Sequence, residues 1–427
     1  RDPPGRPGGL ISTPMDPLEH VVREEWGRLT ALLLARFRRL DLVEDGLGDA
    51  VAAAAESWSR DGAPDRPAGW VHAVARRRIL DRLRAEAMHT RRMPLLVVEE
   101  RRRESTSAAP ADAVVDDEEA VEDDVLRLIL MCNHPALSPE AASALSLRLV
   151  LGVSTHDIAR LFLVQEATMA ARLTRAKRKI VAAGIPFAVP SAAFLPERLE
   201  SVARTAYLAF TAGYAPSSGP DPVRTELAGE AIRLVRLARG LVDDPILTPL
   251  LALMLLQHSR RDARVAPDGR IVLLPDQDRS RWRHDEIEEA VGLLASPSLS
   301  GPLRQATASY ALQARIAAEH ATAASAAETR WERIVQGYDL LLRLDPSPAA
   351  ALARAVAVGE ADGPEAGLEA LDAVDHPNSH RVWAVRAELL NRSGCPAEAR
   401  EAYTRAISLC RNDAEIAHLR ARRDRLG

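Results

Sequence analysis

Lysine is nearly missing from this chain. Lys177 and Lys179 are the only two among 56 basic residues in a length of 427, and the rest are arginines. That bias, with abundant alanine, marks a GC-rich coding source, so arginine number alone points to no function. Aromatics are scarce at 4%, so the cores must be built from Leu, Val and Ala. Three cysteines, Cys132, Cys395 and Cys410, show no paired spacing, which excludes a disulfide framework and fits a reducing cytoplasm. Cys132-Asn133-His134 looks like a metal fragment, but no second ligand pair follows it. Neither a metal site nor a cofactor is therefore expected. No apolar run approaches the roughly 20 residues that span a bilayer, so no membrane partner is expected. The opening RDPPGRPGGLISTP is rich in proline and glycine, has no apolar centre and does not read as a signal peptide. Residues 1–15 are expected to be a disordered lead-in, with Met15 a candidate start. Net charge is only −4, so any charged partner must be sought in local patterns.

What is present is mostly helical periodicity. Val22, Trp26, Leu29, Leu33 and Phe37 recur at three- and four-residue spacing and predict one apolar face. A second helix is expected over 41–58, opening at Asp41 with Glu44 as a capping box and carrying acids at Asp45 and Asp49. SRDGAPDRPAG then breaks the pattern. A third helix starts near Pro67 and becomes arginine-dense through Arg76, Arg77, Arg78, Arg82 and Arg84. Residues 94–124, with eight acids between Asp112 and Asp124 and no sustained period, predict a flexible acidic linker. Helices resume over 126–180, with Ser138-Pro139 and Ser154/Asp157 as start signals and Gly152 as a stop. Beyond Pro196 the chain reads as helix pairs, except that VAPDGRIVLLPD suggests a small hairpin around Asp268-Gly269. Glu365-Ala366 with Ala373-Val374 recurs as Glu398-Ala399 with Ala406-Ile407, an offset of 33 residues, close to the 34 of tetratricopeptide repeats. The helix from Trp331 to Leu344 is a looser earlier unit.

The stretch STHDIARLFLVQEATMAARLTRAKRKI carries the sharpest signal. Met169, Leu173, Ala176 and Ile180 share one face and are expected to be buried. That leaves Thr168, Ala171, Arg172, Arg175, Arg178 and Lys179 outward, and residues 148–180 hold seven Lys/Arg against two Asp/Glu. A helix–turn–helix of this kind suits a major groove, its first turns near base edges and its basic end near phosphates. A solvated amphipathic surface helix would show the same pattern. In the first domain, Trp58 and Trp70 flank the arginine-dense helix, a mixture that suits single-stranded DNA. The acids on the preceding helix would suit a basic protein partner. DQDRSRW, Asp276 to Trp282, has carboxylates and arginines but no nucleophile–base pair, so an ion-pair and capping role is expected, and no enzyme activity.

DLVEDGLGDAVAAAAESWSRDGAPDRPAGWVHAVARRRILDRLR resembles region 2 of bacterial sigma factors of the extracytoplasmic-function type, within the sigma-70 family. DDVLRLILMCNHPALSPEAASALSLRLVLGVSTHDIARLFLVQEATMAARLTRAKRKIVAAGIPF resembles their region 4. The remainder, with AYLAFTAGYAPSSG, ALMLLQHSRRDARV, LLPDQDRSRWRHDEI and LLRLDPSPAAALARAVA, resembles the long extension of a subgroup ending in a tetratricopeptide-like domain. The resemblance implies an all-α protein: region 2 over 16–93, the linker over 94–124, region 4 over 125–188, and a TPR-like helical extension over 196–427 with one short β-hairpin. It implies RNA polymerase core enzyme and promoter DNA as partners. Asp41, Glu44, Asp45 and Asp49 would contact the polymerase. Trp58, Trp70, Arg76, Arg77, Arg78 and Arg82 would hold the melted −10 strand, and Thr168, Ala171, Arg172, Arg175, Arg178 and Lys179 would read the −35 element. The extension would touch the sigma domains and control or support them. Gly46 and Gly48 depart from the expected Ala and Gln, at a helix cost of up to about 1 kcal/mol each. Asn133 replaces a second cysteine. The runner-up reading is an operator-binding regulator on a helical scaffold, which would not need the first domain's acidic helix and Arg/Trp segment.

Overall fold

The computed structural model describes residues 17–91, 118–162, 164–214, 225–266, 270–374 and 378–426. The expected lead-in 1–15 and most of the acidic segment, 94–117, lie outside them. The fold is all-α, and its chain forms two units.

The first unit is built on α1 (Pro17–His20), a π turn (Val21–Glu25), α2 (Trp26–Phe37), α3 (Leu40–Asp61) and α4 (Pro67–Arg91). Its core takes one residue per turn from each helix: Trp26, Leu29 and Leu33 from α2; Val43, Leu47, Ala50 and Ala54 from α3; Val71, Ala75 and Ile79 from α4. The α3 start is not the capping box its sequence suggests. Arg39 is the N-cap and makes no side-chain cap, while Asp41 binds the Arg39 guanidinium at 2.8 Å and Glu44 is turned elsewhere. Gly46 is buried where α3 meets α4. A Cβ there would lie 2.7 Å from Ile79 Cγ1 and 3.1 Å from the Ala75 carbonyl, so the glycine sets the helix spacing. At Gly48 a Cβ would meet nothing within 4 Å. Of the two departures from the expected pattern, only Gly48 is a plain loss of helix propensity.

Two short segments from further along the chain complete this unit, 148–153 and 186–188. Trp26 Nε1 donates to the Arg148 carbonyl at 3.1 Å, and the Arg148 guanidinium lies 5.6 Å over the Trp26 ring. A Cβ on Gly27 would lie 2.4 Å from the Val150 oxygen, and Gly152, at φ +71°, abuts Val22 and Trp26. Arg38 reaches the Phe187 carbonyl at 3.2 Å and lies over its ring. The acidic segment also departs from expectation at its end: α5 (Glu118–Cys132) starts inside it, and Arg127 pairs with Asp123 and Asp124. Acids in first turns favour a helix through the backbone dipole, which outweighs their resemblance to a linker.

The second unit holds 129–147, 154–185 and everything from 189 onward. α6 (Pro139–Leu145) is capped by Ser138 as the sequence predicts. Asn133 is fully buried and donates to the Ile129 carbonyl at 2.8 Å and Ser146 Oγ at 3.0 Å, a polar bridge that a cysteine could not make. α9 (Leu195–Tyr214), α10 (Thr225–Leu241) and α11 (Leu247–His258) follow. α11, LTPLLALMLLQH, is buried all round except at Gln257, which makes it the unit's central rod. Ser143 Oγ donates to the Thr205 carbonyl at 3.2 Å and Ser201 Oγ to the Asn133 carbonyl at 2.8 Å, joining the segment before α6, and α6 itself, to α9. Then come α12 (His284–Leu294), α13 (Gln305–Ala321), α14 (Trp331–Leu344), α15 (Pro348–Ala361), α16 (Pro364–Asp372), α17 (His380–Arg392), α18 (Pro396–Leu409) and α19 (Asp413–Asp424). α14, α16 and α18 start at Trp331, Pro364 and Pro396, 33 and 32 residues apart. The expected hairpin shrinks to one antiparallel bridge, Val265 to Ile271, and its tip 267–269 lies outside the described residues. Val265 and Val272 are β-prone, but 3₁₀ turns at Arg261–Ala263 and Leu274–Asp276 flank the bridge and take up the neighbouring backbone. DQDRSRW is structural: Asp278 caps a short 3₁₀ turn, and Arg279 donates to the His320 and Ala323 carbonyls at 2.7 and 2.8 Å while lying 4.4 Å over Trp282.

Candidate nucleic-acid interface

α7 (Thr155–Leu161) begins at Ser154, whose Oγ accepts from the Asp157 backbone N–H while its hydroxyl donates to the Asp157 carboxylate at 2.6 Å. α8 (Glu166–Ala182) follows it in the chain. The buried residues of α8 are Met169, Leu173, Ala176 and Ile180, the four that the period predicts. Ile158, Ala159 and Leu161 are the buried residues of α7. Thr168, Ala171, Arg175, Arg178 and Lys179 are exposed and Arg172 is half-buried. None of these four cations has an ion-pair partner among the described residues. The face is a cationic strip with the short side chains of Thr168 and Ala171 near its N-terminal end.

α4 is a different kind of basic helix. Trp58 and Trp70 meet edge to face, centroids 5.5 Å apart, and both pack against the first unit's core. Both are half-buried, and Trp58 Nε1 is buried with no hydrogen-bond partner among the described residues. Arg77 and Arg78 are exposed and Arg76 is half-buried. Arg82 is committed to α3, to Asp49 at 2.9 Å and Asp45 at 3.4 Å, and Arg84 to Asp81 at 2.9 Å. Residues expected to serve two different partners, Arg82 on one side and Asp45 and Asp49 on the other, thus form one ion cluster.

Asp41, Glu44, Asp45 and Asp49 on α3 each pair with an arginine of the same unit. Arg39 holds the Asp41 carboxyl below the usual range through its hydrogen bond and also reaches Glu86 at 3.2 Å. Glu44 accepts from Arg148 Nε at 2.9 Å, with its side chain 13% exposed, so it is withdrawn from solvent. Asp41 and Asp45 remain exposed. Arg148 and Arg39 were not among the residues the sequence singles out. Arg148 lies 104 positions from Glu44, beyond any local pattern. No described helix is long and apolar enough to cross a membrane.

Residues 127–180 match the family described as sigma-70, region 4. Residues 198–298 match a family of unknown function, DUF6596. The chain is 41% identical over 400 residues to "Uncharacterized protein R00370" of Rhizobium meliloti (strain 1021), covering 92% of each chain. No solved structure matches it.

Proposed function

The chain belongs to one family with the R00370 protein and carries the region 4 of a sigma-70 family member, and from that premise we propose that it is an RNA polymerase sigma factor of the extracytoplasmic-function group. It directs promoter-specific transcription initiation and supplies no bond-making chemistry of its own. One observation carries the reading: the buried stripe of α8 leaves Arg172, Arg175, Arg178 and Lys179 on one strip without counter-charges among the described residues. Such a strip meets the −35 duplex, with Thr168 and Ala171 toward base edges and the arginines toward phosphates.

Region 2 is the first unit's three-helix core. Arg76, Arg77 and Arg78 track the phosphates of an opened −10 strand, and the half-buried Trp58/Trp70 pair offers aromatic surface to an extruded base. Arg82 supports that face by holding Asp45 and Asp49 rather than by touching DNA first. Asp41 and Asp45 are the acids best placed to meet a basic surface of the polymerase. The helices from α9 onward form a TPR-like extension that supports or regulates region 4, a reading favoured by the bonds from Ser143 and Ser201 across the α6–α9 contact.

Run-off transcription with core polymerase tests this directly. The full chain, with a library of promoter templates, is expected to yield transcripts with fixed start sites that core enzyme alone does not produce. Duplex binding without any initiation would overturn the sigma reading and leave the operator-binding regulator in its place.

A further inference from the structure

Three residues far apart in sequence meet at the ends of three helices near the C-terminus. His380 opens α17, Cys410 follows α18 directly, and Glu415 sits in the first turn of α19. His380 Nε2 and Glu415 Oε2 are 2.7 Å apart, and Cys410 Sγ is 3.6 Å from the same oxygen. All three ligand atoms lie within 4.8 Å of one another. We propose that His380, Cys410 and Glu415 form a site for a single Zn²⁺ ion.

The donor set selects the ion. An imidazole, a thiolate and one carboxylate suit a borderline-soft transition cation, whereas Ca²⁺ and Mg²⁺ want several oxygens. Zn²⁺ with ligands at about 2.0–2.3 Å in a tetrahedral arrangement spaces neighbouring donors by about 3.5 Å. The three atoms bracket that spacing, so a small outward shift of His380 from its hydrogen bond would admit the ion. The charges also close: a thiolate and a carboxylate neutralise Zn²⁺, with the thiol proton released to solvent as the ion binds.

The arrangement is held in advance. Asn412 caps α19 by accepting from the Glu415 N–H at 3.0 Å, which fixes the turn between Cys410 and Glu415. Arg381 Nη2 lies 3.7 Å from the other Glu415 oxygen and orients the carboxylate from outside. Cys410 is buried at 8% exposure, while His380 and Glu415 line a cavity of about 770 Å³. The cavity side is therefore where a fourth ligand, a water or a group of a bound molecule, completes the tetrahedron. No sequence motif marks the site, because the His380-to-Cys410 separation has none of the short pairs by which zinc sites are read.

The test uses the full chain stripped of metal. Titration with Zn²⁺ against a chromophoric chelator is expected to give one tight equivalent, and Co²⁺ a thiolate-to-metal charge-transfer band. Cys410→Ser should abolish the band and weaken Zn²⁺ by more than about 100-fold, beyond the loss of an outer partner. Cys395→Ser, at a half-buried cysteine outside the cluster, should change neither. In the unsubstituted chain Zn²⁺ should also protect Cys410, but not Cys395, from alkylation, which decides the matter even if Cys410→Ser misfolds. Absence of a tight equivalent, a Co²⁺ band that survives Cys410→Ser, or no protection of Cys410 would each overturn the proposal.

Discussion

α4 and α8 look alike as sequence and differ as surfaces. Both carry four or more arginines or lysines within a few turns, and both bury a stripe of one residue per turn. On α8, Arg175, Arg178 and Lys179 are exposed and Arg172 is half-buried, and none of these four has an ion pair among the described residues. On α4 part of the charge is compensated, that of Arg82 by Asp45 and Asp49 on α3 and that of Arg84 by Asp81 one turn away on α4 itself. Charge density therefore does not measure the field a helix offers to a polyanion. What matters is how much charge is left uncompensated, and that depends on a neighbouring helix.

The largest test of this contrast removes the uncompensated charge. Replacing Arg172 and Arg175 together by Ala should weaken duplex promoter binding by about 100-fold, roughly 2.7 kcal/mol. It should also lower the salt slope by about 2, one for each lost phosphate contact. Core polymerase binding should stay intact, since both side chains lie outside the α8 core. Equal loss of both activities would point to a misfolded α8. If Arg77→Ala with Arg78→Ala produced the larger loss on duplex DNA, the contrast between the helices would be reversed.

Next in size is the spacing that lets α3 supply counter-charge to α4. Gly46→Ala would push a methyl group into Ile79 and the Ala75 carbonyl. Overpacking of this kind should cost about 2 kcal/mol, read as faster native-state hydrogen exchange of the α3 and α4 amides. α8 lies in the other unit, and its amides should exchange unchanged. If α3 and α4 exchanged no faster, the helices would not be held at the spacing the glycine sets.

Much of this fold was legible because it rests on local period. The α8 stripe, the Ser138 and Ser154 caps and the Pro67 start need only neighbours three or four residues away. What escaped was long-range. Glu44 reads as a free acid in a capping box, yet its partner Arg148 is on a segment that folds back onto α2. Gly46 and Gly48 are indistinguishable as letters, and only the distance to Ile79 separates them. The segment 118–124 shows the converse: acid-rich composition suggested a linker, and α5 begins within it. As for the candidate site, the positions on α8 could be read from period alone, whereas the Arg82 cluster depends on how α3 and α4 pack.

A smaller effect should follow from releasing Arg82. Asp45→Asn with Asp49→Asn leaves its guanidinium without acids on α3, so single-strand affinity of the full chain should rise by about tenfold, roughly 1.4 kcal/mol. Stability should change by less than about 1 kcal/mol, because the pair is largely exposed, with Asp45 65% and Asp49 43% accessible. Filter binding to a −10 single strand, beside urea unfolding, separates the two. Unchanged affinity would mean that Arg82 lies off the strand's path, and that α4 is compensated only where DNA does not pass.

The smallest effect has the opposite sign to its neighbour. Gly48 is in the interior of α3, exposed, and a Cβ there meets nothing within 4 Å. Gly48→Ala removes backbone freedom from the unfolded chain without a clash, so it should stabilise the first unit by about 0.8 kcal/mol. The same substitution two positions apart in one helix would then stabilise at 48 and destabilise at 46. Since α3 carries the acids that compensate α4, a stiffer α3 should leave Arg82 paired and single-strand affinity unchanged. A loss of stability at 48 would mean that this stretch of α3 is held by something other than its helix and its contact with α4, and the account of how α4 loses its charge would have to be rebuilt from that contact.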